Sequence, residues 1–205
     1  MLLPIKHPGL LTIISKTLSE HGVIAVPTDT VYGIGCLVQD EKAIDRIYEI
    51  KGREQSKAIP VLIGNLEQLH EVATEWSPTA QKLIDRFWPG ALTLILKRQP
   101  TLPVNLTPNP TIGVRMPDHG WLRDLITHTG PLAVSSANLS GDPEARTAEE
   151  VSRQLGNKID LIVDGGECAG GTSSTVVDCT KDPIQILREG AISADKIWDK
   201  IGGEK

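Results

Sequence analysis

Aromatic side chains are scarce in this sequence: four Trp, two Tyr and one Phe make up 3% of 205 residues. Proteins that grip single-stranded nucleic acid do so on rows of stacking rings, and this chain lacks the material for them. Cysteine is nearly as sparse. Cys36, Cys168 and Cys179 are odd in number and show no Cys-x-x-Cys spacing, which argues against a disulfide framework and for small buried hydrophobes in a reducing compartment. No apolar run approaches the roughly 18 residues of a membrane span, and Met1 to Pro8 holds no continuous apolar stretch ahead of a small-residue cleavage site. A cytoplasmic protein without a membrane partner is expected. Positive charge is also in deficit. A formal net charge of -5 speaks against a general electrostatic hold on RNA or membrane, although a local basic cleft can still bind an anion. Five His residues form no His-Glu-x-x-His or similar array, so no protein metal site is expected. The phosphate loop Gly-x-x-x-x-Gly-Lys-Ser/Thr is missing, and Gly33-x-Gly35 lacks the third glycine of a dinucleotide fingerprint.

What is present suits one α/β domain. The length and a hydrophobic content of 40% allow one sizeable core but not two full domains. Short apolar, β-branched runs recur at Val23 to Val26, Ile59 to Ile63, Leu92 to Leu96, Thr111 to Arg115, Leu132 to Val134, Leu161 to Val163, Thr175 to Val177 and Ile184 to Leu187. Helical spacing appears at Leu10 to Glu20, Glu41 to Ile50, Pro78 to Phe87, Leu122 to His128 and Ala148 to Leu155. Asp40-Glu41 begins the second helix, Ser77-Pro78 supplies a cap and first-turn proline, and Thr147-Ala148-Glu149-Glu150 is a capping box. Some neighbouring strands lie too close for a helical crossover, and Thr180-Lys181-Asp182-Pro183 reads as a hairpin turn, so the sheet is predicted to be mixed. The proline-rich stretch Gln99 to Pro110 reads as a surface excursion.

Chemistry concentrates in a few segments. Pro27-Thr28-Asp29-Thr30-Val31-Tyr32-Gly33 is a hydroxyl-rich turn behind a buried strand, and Lys51, Arg53 and Lys57 are expected on one loop past a helix, where three cations can converge on a triphosphate. Ser135-Ser136-Ala137-Asn138-Leu139-Ser140-Gly141 leaves another strand with hydroxyls and an amide suited to phosphate, ribose or a base edge. Gly170-Gly171-Thr172-Ser173-Ser174 is a second hydroxyl-rich loop whose glycines permit close approach. Arg115 and Arg188 each end an apolar strand, where ligands of α/β proteins often lie. Taken singly, each segment is as well read as an ordinary polar turn or surface arginine.

Together and in order, these segments, with Trp88-Pro89-Gly90-Ala91-Leu92-Thr93, Val114-Arg115-Met116-Pro117, Ser174-Thr175-Val176-Val177-Asp178 and Leu187-Arg188-Glu189-Gly190, resemble the YrdC-like family of threonylcarbamoyl-AMP synthases over about residues 10–192. The resemblance implies a twisted mixed sheet with flanking helices around a large positively charged cavity. It implies one domain over residues 1–205, the short bacterial-type, TsaC-like form without an extra C-terminal domain. The implied reaction joins L-threonine, bicarbonate and ATP into threonylcarbamoyl-AMP and pyrophosphate, which feeds the machinery that makes N6-threonylcarbamoyladenosine in tRNA. By the resemblance Lys51 and Arg53 are catalytic; Lys51, Arg53, Lys57, Thr93, Ser136, Asn138 and Arg188 handle ATP; and Thr30, Lys97, Arg115 and Ser174 handle threonine. Mg²⁺ is expected to arrive with ATP. Asp29 stands where many members have Glu, and Lys57 and Leu62 stand where longer members carry Asn and His. The competing reading is a translation or ribosome-assembly factor of the YrdC/YciO kind that binds tRNA or double-stranded RNA; the acidic balance weighs against it.

Overall fold

Alternation within the apolar runs sorts side chains onto two faces of a sheet. Val23 and Ala25 enter one hydrophobic core while Ile24 and Val26 enter the other; Val61 and Ile63 are likewise split from Leu62. The computed structural model describes residues 1–202, so the last three residues of the expected domain lie outside it. In chain order its strands are β1 (Leu2–Pro4), β2 (Ile24–Val26), β3 (Gly33–Leu37), β4 (Val61–Leu62), β5 (Leu92–Lys97), β6 (Thr111–Arg115), β7 (Leu132–Ser136), β8 (Leu161–Asp164), β9 (Thr175–Asp178) and β10 (Gln185–Arg188). They form one sheet in the order β1-β8-β2-β3-β7-β4-β6-β5-β9-β10. The pairs β1/β8, β2/β8, β4/β6 and β5/β9 are parallel and the others antiparallel, so the sheet is mixed and β9/β10 is the expected hairpin.

Helices cover both faces. α1 (Leu10–Ser19) and α5 (Gly120–Thr129) bury Leu10, Ile14, Leu18, Leu122, Leu125 and Ile126 in the smaller core. α2 (Glu41–Lys51), α3 (Leu69–Val72), α4 (Pro78–Phe87), α6 (Ala148–Leu155) and α7 (Ala194–Ile201) contribute to the larger one. The caps read from sequence form as expected. Asp40 accepts from Ala43 N at 3.1 Å, Ser77 accepts from Ala80 N at 3.1 Å, and Thr147 and Glu150 close both halves of a capping box. All three cysteines are buried, and burial pushes their thiols upward, that of Cys179 to about 12.

Four of the strands and α-helices escaped the sequence reading: β1, β3, α3 and α7. In β3 the reason is glycine, which weakens strand propensity. A Cβ at Gly33 would sit 2.5 Å from Val134 Cγ1, and one at Gly35 2.8 Å from Val134 Cγ2, so β7 packs too closely for any side chain there. The stretch from Gln99 to Pro110 is also less superficial than expected. Leu102 and Leu106 lie in the larger core, and the Leu106 carbonyl accepts from Ile59 N at 3.0 Å. Among the described residues no helix is long and apolar enough to cross a membrane.

Candidate active site

Strand ends and loops from distant parts of the chain meet at one cavity of about 150 Å³. The turn after β2 supplies Thr28, Thr30 and Tyr32; the carboxyl ends of β6 and β10 supply Arg115 and Arg188; β5 supplies Thr93; and β7 supplies Ser135 and Ser136. The enclosed space is below the roughly 300–1,000 Å³ of pockets for drug-sized ligands. It suits an amino acid, and of the three arginines that line it Arg115 is buried, Arg53 half-buried and Arg188 exposed.

Local chemistry makes the turn after β2 rigid. Thr28 Oγ1 donates to Val31 O at 2.7 Å and accepts from Thr30 N at 3.0 Å, so the hydroxyl replaces the ladder that Pro27 interrupts. Arg115 is buried beside it. Its Nη1 donates to Thr30 Oγ1 at 3.0 Å, Nη2 to Asp29 Oδ1 at 2.5 Å, and Nε to Gly90 O at 2.9 Å. Burial pulls the guanidinium's pKa down and Asp29 pulls it back up. Asp29, noticed in the sequence only as a departure, is thus the carboxylate that orients Arg115. Tyr32 donates to Gly166 O at 2.8 Å and accepts from Gly165 N at 3.1 Å, tying the glycine loop to the turn. Across the cavity, Thr93 Oγ1 and Ser174 Oγ lie 2.8 Å apart, and Arg188 reaches the Ser174 carbonyl from Nη2 at 2.8 Å.

Of the residues singled out in the sequence, Thr30, Arg53, Thr93, Arg115, Ser136, Ser174 and Arg188 all line this cavity. Four others are placed differently. Lys51 belongs to the last turn of α2, not to the loop beyond it, and is only 2% exposed. Its ammonium donates to the Ser136 carbonyl, to Asn138 O at 2.6 Å and to Asn138 Oδ1 at 3.4 Å. Burial and the neighbouring Arg53 lower its pKa to about 8. Asn138 is outside the lining too; its amide closes the turn by donating to Leu139 O at 2.9 Å and Asp142 O at 2.7 Å. Lys51 and Asn138 therefore shape the Ser136 turn from behind.

Lys57 and Lys97 depart further from expectation. The Lys57 side chain is exposed and off the cavity; its carbonyl is what matters, accepting from Arg53 Nε at 3.1 Å while Arg53 Nη2 holds Ala58 O at 3.1 Å. Lys97 ends β5 four residues beyond Thr93, about 13 Å along an extended strand. There it is exposed and paired with Glu75. The expected convergence of Lys51, Arg53 and Lys57 is replaced by Arg53 and Arg188 at the cavity with Lys51 behind. Sequence reading missed Glu144 and undervalued Ser173, both of which line the cavity. Ser173 stood in a quoted hydroxyl loop, but nothing in the residues around Glu144 marked it.

Comparison with known proteins finds relatives of both the sequence and the fold. A Sua5/YciO/YrdC family model, described as telomere recombination, matches residues 16–190. Threonylcarbamoyl-AMP synthase of Bacillus subtilis (strain 168) is 42% identical over 191 residues, covering 90% of this chain and 54% of that protein. The crystal structure of P. abyssi Sua5 complexed with L-threonine superposes with a TM-score of 0.94 at 37% identity, over 98% of this chain and 61% of that one. E. coli YciO superposes with a TM-score of 0.84 at 27% identity, over 96% and 97% of the two chains. The chain thus spans little more than half the length of the first two relatives. With a family model matched across most of its residues and a fold shared from end to end, the chain belongs to the Sua5/YciO/YrdC family.

Proposed function

We propose that the protein is a threonylcarbamoyl-AMP synthase, taking L-threonine, bicarbonate and ATP. The observation that carries this is the cavity itself: an amino-acid-sized space lined by the hydroxyls of Thr30, Thr93 and Ser174 and by three guanidinium groups, those of Arg53, Arg115 and Arg188. The relatives named for this activity, and the P. abyssi Sua5 complex with L-threonine, support the reading. Threonine binds as its ammonium and loses a proton to solvent; the free amine attacks carbon dioxide derived from bicarbonate, an N–C bond forms as one C=O π bond opens, and the nitrogen releases a second proton to leave a carbamate. A carbamate oxygen then attacks the α-phosphorus of ATP, the P–O bond to the β-phosphate breaks, and pyrophosphate leaves. No side-chain nucleophile is needed. Catalysis comes from holding two anions together and stabilising charge on the phosphates.

Arg115, locked by Asp29 and Gly90, suits the amino acid's carboxylate, and the Thr93–Ser174 hydroxyl pair suits its side-chain hydroxyl. Arg53 and Arg188 at the cavity mouth suit the phosphates, with the Ser136 turn, braced by Lys51, beside them. Among the described residues no group of three or more His, Cys, Asp or Glu could hold a metal ion. Mg²⁺ arriving with ATP would be held mainly by nucleotide phosphates and water, as is usual for it, and would supply charge neutralisation there.

The decisive experiment measures pyrophosphate release with Mg-ATP while threonine or bicarbonate is omitted in turn. Release is expected only when both are present; equal release without threonine would overturn the assignment. Valine, which leaves a buried polar site unpaired, should be a poor substrate.

A further inference from the structure

Glu144 is the only carboxylate among the described residues that line the cavity, and the reaction just described gives it no task. It stands on the loop between the Ser136 turn and α6, with one oxygen accepting from Ser173 Oγ on the facing glycine loop. A carboxylate close to Arg53, Arg188 and the buried ammonium of Lys51, whose charge it supports, works against anion binding. Such a group costs an anion site least where its second oxygen meets a cation of the ligand.

Two ligand cations are available. Mg²⁺ comes with phosphate and water oxygens already around it and takes few protein ligands. The α-ammonium of an amino acid comes with none. Burying it without an acceptor is costly, a charged acceptor offsets that cost better than a neutral one, and several neutral acceptors nearby already carry a bond. Thr30 Oγ1 takes the Arg115 bond, the Thr93 and Ser174 hydroxyls face one another, and the Ser136 carbonyl takes Lys51. We infer that Glu144, positioned by Ser173, binds the substrate's α-ammonium and so selects an amino acid over its deaminated analogue. This inference rests on the amino-acid reading of the cavity.

The test is calorimetric titration, without ATP, of threonine and of 2,3-dihydroxybutanoate, the same skeleton with hydroxyl in place of ammonium, into wild type, Glu144→Gln and Glu144→Ala, with folding checked by circular dichroism. Wild type should prefer threonine. In both variants threonine affinity should fall about tenfold to a hundredfold, the range for a hydrogen bond to a charged group, while the analogue binds as before. Equal loss for both ligands would make Glu144 a loop brace only, and unchanged threonine affinity would remove it from the site; either overturns the inference. A parallel Mg-ATP titration weakened in the variants, with threonine binding intact, would assign the carboxylate to the metal instead. Failure of wild type to bind threonine at all would sink the substrate assignment itself, a different outcome from failure confined to the variants.

Discussion

At Lys51 a cation is held by neutral dipoles, two carbonyls and an amide oxygen, in a place water does not reach. A lysine in a solvated loop could be truncated at a cost within about 0.5 kcal/mol. Here Lys51→Ala leaves buried carbonyls unpaired, so the expected loss is about 1–3 kcal/mol, read from the urea midpoint. The pH dependence follows from the same burial. With the folded pKa near 8 and the ordinary value at 10.5, the unfolded chain holds the proton where the folded one has released it. Between those values the unfolded state binds more protons, so this group makes stability rise with pH. The three buried thiols, pushed upward, act in the opposite direction over the same range, so the Lys51 share is read as a difference: between pH 7 and pH 9.5 the change in stability should be more favourable in wild type than in Lys51→Met, which keeps the thiols. Asp29 poses the opposite case, a charge pair that burial makes interdependent. Asp29→Ala strands the Arg115 guanidinium and should cost about 3–5 kcal/mol, with threonine binding lost in whatever folds.

Elements carry the site through their ends. β3 has glycine where it pairs with β7, and this close contact sets where the Ser135–Ser136 end of β7 meets the turn of Thr30. Gly35→Ala would press a methyl to 2.8 Å from Val134 Cγ2 and 2.9 Å from the Ala133 carbonyl, a backbone atom that cannot swing away. A loss of about 1–3 kcal/mol is expected on thermal melting, since overpacking forces neighbours off their rotamers. The capping box of α6 does related work for the loop bearing Glu144. Thr147 bonds Glu150 N at 3.2 Å, and the Glu150 carboxylate returns to Arg146 N at 2.6 Å, two residues from Glu144. Thr147→Ala should cost about 1 kcal/mol, again by melting temperature.

On the scale of the whole molecule, the cavity joins segments from Thr28 to Arg188, so filling it ties most of the chain together. A ligand that binds only the folded state stabilises it by about 2.7 kcal/mol at a hundred times its dissociation constant. For a chain of this size each kcal/mol moves the melting temperature by about 2–4 °C. Saturating threonine should therefore raise the melting temperature by several degrees, and the same concentration of valine by less. Absence of any shift with threonine would count against the cavity as its site.

Local chemistry was readable wherever the cause lay within a few residues. Asp40, Ser77 and Thr147 announce helices because a side-chain oxygen meets a backbone N–H three positions on, and the hairpin after Val177 follows from two runs too close for a crossover. The order of the motifs was enough to identify the family because many short patterns in sequence are far more specific than one. Placement was a different matter. Whether Lys51 points at a ligand or at the carbonyls behind it depends on β7, 85 residues away, and whether Lys97 reaches the cavity depends on which end of β5 faces it. Glu144 carried no local mark, since its position comes from a hydroxyl 29 residues on. Those outcomes depend on long-range pairing, which no spacing along the chain records.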